Sequence, residues 1–184
     1  MKQLLLGSLL AAVALFIWGA IFWMSPISNS VLERARDDEA AGQALLEHFP
    51  ESGTYVIPGE RSDEGTFTRL HQAGPIATIH VRREGAPAMN PQVFVKGFLH
   101  GLLTCFLLGL MMKMALPGLP TYGLRVGFAT LAALTAAVFL ELGEVVWWYQ
   151  PWGLHLVNLV WSATAGLIAG LVLAYFLRPS PAAA

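Results

Sequence analysis

Charge is what this chain has least of: only 12% of its 184 residues are Asp, Glu, Lys or Arg, about half the share usual in soluble globular domains. That scarcity excludes an ordinary water-soluble body. The charges present nearly cancel, 11 basic against 12 acidic for a net of −1, so no broad positive field exists to attract a nucleic acid. A single cysteine, Cys105, excludes an intrachain disulfide and any CxxC metal or redox pair. A Gly-rich phosphate loop, a HExxH and a GxSxG are also missing, which removes the motif basis for naming a reaction. The reading leans toward a non-enzymatic protein, with metal and cofactor unassigned.

What the chain has in abundance is apolar residues, 55% of the total, for a mean hydropathy of +0.57. They are concentrated in four runs. Leu4 to Met24 is about 21 residues long and at 1.5 Å per residue extends roughly 31 Å, the thickness of a bilayer's hydrocarbon core. It is too long for a signal peptide's apolar region, and Trp18, Trp23 and Met24 stand where small residues would mark cleavage. Three further spans are expected at about 92–114, 124–148 and 154–177. The expected fold is therefore membrane all-α: a transmembrane helix within 1–24, a cap over 25–90, a three-helix transmembrane region over 91–178 and a tail at 179–184. An even number of spans puts both termini on one side. Basic residues at Lys2, in the Lys113 to Arg125 connection and at Arg178, with none between Tyr149 and Gly153, make that side cytoplasmic.

The 25–90 segment carries six arginines and ten acids, a net of −4, and is long enough to translocate regardless of its charge. It has the signals of a small α+β unit. Ser30-Val-Leu-Glu33 matches a capping box, predicting a helix from there to about Phe49, with Asp37-Asp38-Glu39 as its solvated face. Strands are expected at Gly53 to Ile57, before the Pro58-Gly59 turn, and at Pro75 to Arg82. Asn90-Pro91 is a helix start, with Asn as cap and Pro at the first helical position.

The succession of a Trp-Gly-containing first helix, Gly53-x-Tyr55-x-x-Pro58-Gly59, Ala73-Gly74-Pro75, Glu84-Gly85-Ala86 with Met89-x-Pro91, and three further helices resembles a family of uncharacterised bacterial four-helix inner-membrane proteins. The resemblance implies a bacterial inner-membrane setting, in which cytoplasmic termini place the 25–90 cap between helices 1 and 2 in the periplasm. It implies no activity and no functional residues.

A charge at the centre of a bilayer costs about 2.5–3.5 kcal/mol on insertion scales, so each polar residue within the spans needs a reason. Lys96, His100 and Thr104 recur every fourth position on one face of the second span. Glu141 and Glu144 share a face of the third, and His155, Asn158 and Ser162 share one of the fourth. All lie toward the outer ends, where Lys96, His100, Glu141, Glu144, His155 and Asn158 form a candidate polar cavity. Three uses compete: interhelical bonding, with Lys96 pairing or snorkelling beside Glu144; a ligand or ion site titrating at Glu141 and His100; and a metal or haem site.

Small residues one turn apart recur at Gly97 and Gly101, at Gly123 and Gly127, at Ala129, Ala133 and Ala137, and at Ser162, Gly166 and Gly170, permitting close helix approach. Trp147, Trp148, Tyr149 and Trp152, with Trp23, read as an aromatic belt. The function expected first is association, as a homo-oligomer or an accessory subunit of a larger membrane complex. The alternative is ligand binding or proton-linked transport through the polar cavity. Expected partners are the lipid bilayer and other membrane subunits or the chain itself, with no nucleic acid.

Overall fold

The computed structural model describes residues 1–59 and 63–179; all of the expected 179–184 tail except Pro179 lies outside them. In chain order the elements are α1 (Lys2–Trp23), α2 (Pro26–Asn29), α3 (Asp38–His48), β1 (Gly53–Ile57), α4 (Glu64–Ala73), β2 (Ala77–Val81), α5 (Pro91–Ala115), α6 (Tyr122–Trp148) and α7 (Trp152–Phe176), with a 3₁₀ turn at Leu116–Gly118. Four of them, α1, α5, α6 and α7, are long and apolar enough to cross a membrane. Their burial is arranged as lipid solvent requires. Ala11, Ala12, Ala129, Ala169 and Ala174 are buried, whereas Ile17, Leu103, Leu131, Phe139 and Val160 point outward. Leu4, Met112 and Leu173 are buried as well, but the many small residues inside let the helix backbones pack closely. The chain is a multi-pass membrane protein by this architecture.

Contacts run in the order α5, α1, α7, α6. Helix α6 lies tightly on α7 because Gly166 and Gly170 have no side chains: a methyl group on Gly166 would come within 2.5 Å of Ala133 Cβ, and one on Gly170 within 3.0 Å of Ala129 Cβ. Helix α1 joins α5 through Ser8, whose hydroxyl donates to the Cys105 carbonyl at 3.4 Å. It joins α7 through Trp18, whose indole donates to Thr164 Oγ1 at 3.1 Å. Although consecutive in sequence, α5 and α6 touch only sparsely, so the four helices form an arc that is open between them.

The turn joining α5 to α6 is held by Arg125, which counts in the sequence as an exposed basic residue but is only 5% exposed. Its guanidinium donates to the carbonyls of Leu119 and Pro120 at 3.0 Å each and to that of Ala174 at 3.3 Å. It thereby satisfies two carbonyls of the turn and one, that of Ala174, which the end of α7 leaves without a helical partner.

In the 25–90 segment one expectation is overturned. Ser30 does not start a helix; it closes α2, its amide donating to the Pro26 carbonyl and its hydroxyl to that of Ile27. The next helix begins eight residues later, where Asp37 Oδ1 accepts from the amides of Glu39 and Ala40 at 3.0 Å each. A carboxylate cap, with Asp38 and Glu39 in the first turn, complements the helix dipole more strongly than the Ser30 hydroxyl could. The acidic cluster is thus a helix start as well as a solvated face.

The expected strands form an antiparallel pair, Gly53 opposite Val81 through Ile57 opposite Ala77, with α4 between them in sequence. Asp63 caps α4 by accepting from the Thr66 amide at 3.0 Å. Hydrogen bonds from Thr66 hold its carboxyl below the usual carboxylate range. Gly74 ends α4 at φ +68°, a conformation that favours glycine. The Arg83 guanidinium donates to the Leu46 and Phe49 carbonyls, tying the strand pair to the end of α3. No residue of α3, α4 or the strands is fully buried. The segment rests on the helices through Val31 against Gly153 and the His71 ring against Tyr149, centroids 5.7 Å apart.

Gly166→Leu is expected to destabilise the protein by at least about 1–3 kcal/mol through overpacking against α6. Gly127→Leu, with open space at its Cβ, is expected to change stability by less than about 0.5 kcal/mol. Thermal unfolding of the two variants in one detergent checks the contrast, and equal effects would mean that the α6–α7 contact is not close.

Candidate functional site

The close α6–α7 contact brings a carboxylate and an imidazole together near the ends of the two helices. Glu141 Oε2 lies 2.8 Å from His155 Nδ1 and accepts from Asn158 Nδ2 at 2.9 Å. The other imidazole nitrogen, Nε2, lies 3.1 Å from Gln150 Oε1, and Gln150 Nε2 donates to Glu144 Oε2. Gln150 reaches inward because Tyr149 takes a left-handed conformation, φ 56°, costing roughly 1–2 kcal/mol in a residue with a Cβ. The amide of Gln150 then donates to the Glu144 carbonyl.

With Glu144 ionised, the direction of these bonds gives the charge of the pair. The Gln150 amide nitrogen faces a carboxylate, so its oxygen faces His155 and must accept, which places a proton on Nε2. One further proton lies between Nδ1 and Glu141 Oε2. Whichever atom holds it, Glu141 and His155 together are net neutral. Both interhelical bonds to Glu141 fall on Oε2, and Oε1 has no partner among the described residues. In either protonation arrangement Oε1 is an acceptor.

Glu141 stands on the wall of a partly open cavity of about 620 Å³ between α1, α5, α6 and α7. His100, Thr104 and Ser162 supply the other polar side chains of the wall, which is otherwise made of small residues such as Gly97, Gly101, Ala133 and Ala137 and of large apolar ones, Phe16, Phe98, Leu140, Trp23 and Trp161 among them. The His100 imidazole has no partner among the described residues, its carbonyl alone accepting from Thr104 at 3.0 Å. Trp23 packs against Trp161, ring centroids 5.8 Å apart, so it borders this cavity as well as ending α1. A second hollow, about 440 Å³ between α1 and α5, is lined by leucines, Phe106 and Ser8.

The residues singled out from the sequence divide accordingly. Glu141 and His100 face one cavity from α6 and α5, while His155 and Asn158 hold Glu141 from α7 without lining the cavity. Lys96 is exposed, outside the wall, and forms no ion pair among the described residues. Glu144 bonds Gln150 in place of the lysine. Of the packing glycines, Gly166 and Gly170 meet α6, whereas Gly97, Gly101, Gly123 and Gly127 have open space where a Cβ would stand. No three His, Cys, Asp or Glu side chains converge to hold a metal among the described residues. Gln150 escaped the sequence reading. Its signal was being the one amide in the Trp148-Tyr-Gln-Pro-Trp152 turn.

No family model, no curated protein and no solved structure matches the chain. The site is therefore argued from its own geometry.

In a double-mutant cycle, Glu141→Gln and His155→Leu are expected to couple by about 1.5–3 kcal/mol, the range for hydrogen bonds to charged groups. Lys96→Ala is expected to shift stability by less than about 0.5 kcal/mol. Unfolding midpoints in one detergent give both values; additivity of the first pair would show that the bond carries no net energy.

Proposed function

We propose that this chain is a ligand-binding protein that takes a small molecule dissolved in the membrane into the cavity between α5 and α6. One observation carries the reading: Glu141, a carboxyl residue within a membrane span, lines an otherwise mainly apolar cavity and has one oxygen, Oε1, without a partner among the described residues. Carrying such a group in a span is costly. If its role were only to join helices, His155 and Asn158 would suffice and the cavity would gain nothing from the second oxygen. A partly open space of some hundreds of Å³ with few convergent polar groups is the usual form of a small-molecule site. Binding rather than catalysis is favoured because the one thiol on the wall, Cys105, is buried and has no general base bonded to it.

The setting we propose is the bacterial inner membrane, with both termini cytoplasmic and the 25–90 segment periplasmic. Its support is the family resemblance for the membrane, and Lys2, Lys113 and Arg178 for the orientation. A cysteine at Ser52 should react with an impermeant maleimide in intact spheroplasts, and one at Arg178 only after permeabilisation; the reverse pattern would invert the topology.

Association is a second reading, supported by the open glycine faces of α5 and α6. One experiment separates the two: native mass spectrometry of protein extracted from its own cells in mild detergent. Ligand binding predicts a reproducible small added mass that Gly101→Phe, which fills the cavity from open space, abolishes. A discrete multimer or a heteromeric mass without a small adduct, unaffected by Gly101→Phe, would favour association instead.

A further inference from the structure

Resting on the ligand-binding reading, we infer that the cavity selects a neutral lipophile whose head carries a hydroxyl group, donated to Glu141 Oε1. Three observations set this chemistry. First, Oε1 is an acceptor whichever atom of the Glu141–His155 pair holds the shared proton, because Gln150 and Asn158 orient the network from both sides. A head that can only accept, such as an ether or ester, would displace water from Oε1 and leave it without a partner.

Second, the pair is net neutral. A quaternary or ammonium head would therefore leave water for a cavity whose wall carries no net negative charge, since Glu144 lies outside the wall and is engaged by Gln150, and this is unfavourable in a medium of low dielectric. An anionic head fares worse. No Lys or Arg lies on the wall, since Lys96 points elsewhere and Arg125 is occupied with backbone carbonyls near the opposite end of α6.

Third, the remaining wall is shaped for an apolar body. Gly97 and Gly101 leave open space along α5, Ala133 and Ala137 line the cavity from α6 with only a methyl group each, and the Trp23 and Trp161 rings offer flat surfaces near the polar end. A ring-bearing head fits beside those indoles. The gap between α5 and α6 admits its hydrocarbon tail from the side. His100, with an imidazole free of protein partners, stands on α5 as a second polar group for the same head. It can donate to the hydroxyl oxygen while the hydroxyl proton goes to Glu141.

The test uses the full-length protein in detergent micelles and four probes sharing one octyl tail: 4-octylphenol, its methyl ether 4-octylanisole, 4-octylbenzoate and 4-octylbenzyltrimethylammonium. Occupancy is titrated by native mass spectrometry. The phenol is expected to bind about tenfold or more tightly than each of the others, the cost of leaving one desolvated acceptor unpaired. Glu141→Ala should erase the difference between phenol and anisole, and Gly101→Phe should block both. The comparison of probes on the unaltered protein requires no variant to fold. Equal binding of phenol and anisole, both blocked by Gly101→Phe, would overturn the hydroxyl selection while leaving the cavity a binding site. Preference for the benzoate or the ammonium would overturn it likewise. Binding of every probe unaffected by Gly101→Phe would remove the cavity reading itself, and the inference with it.

Discussion

The close contact of α6 with α7 is the constraint on which the rest of the structure depends. Gly166 and Gly170 allow the α7 backbone to lie against Ala129, Ala133 and the Val126 carbonyl, a separation that a single additional side chain would abolish. At that separation the carboxylate of Glu141 can reach both His155 and Asn158 within 2.9 Å. A wider spacing would leave Glu141 without interhelical partners, and a carboxylate so placed would be expelled or neutralised. The same contact commits α6 to α7, which leaves α6 far enough from α5 for a cavity to remain. Packing and polarity are therefore one arrangement: the glycines that join two helices also create the space that the carboxylate faces.

Two ionisable residues in the spans illustrate two ways of meeting the cost of burial. Arg125 spends its donors on three backbone carbonyls of the fold, so it fastens the α5–α6 turn to the end of α7. Glu141 is held by one oxygen and left open at the other. The difference separates a structural group from a candidate binding group more sharply than burial alone. His155 is only 6% exposed yet has both nitrogens engaged within the chain, whereas His100 is exposed on the cavity wall and engages none. In the proposed reading, recognition falls to Glu141 and His100 and positioning to His155, Asn158 and Gln150.

The long helices were legible in the sequence because a span is a matter of uninterrupted hydropathy over a known thickness. Expected bounds of 92–114, 124–148 and 154–177 differ from α5, α6 and α7 by no more than two residues at either end. The strands were legible from β-forming residues between turn signals. What failed was competition and facing. Ser30 carried a valid capping pattern, but Asp37 offered the better cap and the helix started there. Four small-residue seams looked alike, because periodicity reports which residues share a face and not what that face meets. The α7 seam and the alanine seam of α6 found each other, whereas the glycine seams of α5 and of the start of α6 met no helix. Lys96 and His100 lie four residues apart, yet the short imidazole lines the cavity and the longer lysine does not. Gln150 was illegible for another reason: its role depends on a left-handed Tyr149 that nothing in the local composition requires.

The opening between α5 and α6 follows from how the helices are paired rather than from weakness in any one of them. Ser8 and Gly109 tie α1 to α5, where a methyl group on Gly109 would come within 2.7 Å of Leu4 Cδ1. Gly166 and Gly170 tie α6 to α7. These pairs are joined through α1 and α7, by Trp18 on Thr164 toward one end and by Gly7 against Phe176 toward the other. The connecting turn belongs mechanically to the second pair, since Arg125 binds the Leu119 and Pro120 carbonyls to the same guanidinium that reaches Ala174. The two pairs also meet where Gly109 of α5 faces Leu173 of α7, so among the described residues the opening between α5 and α6 is the one side of the arc that no close helix contact covers. In the proposed reading a molecule would reach the cavity on that side, where Glu141 is already oriented by His155 and Asn158 of α7.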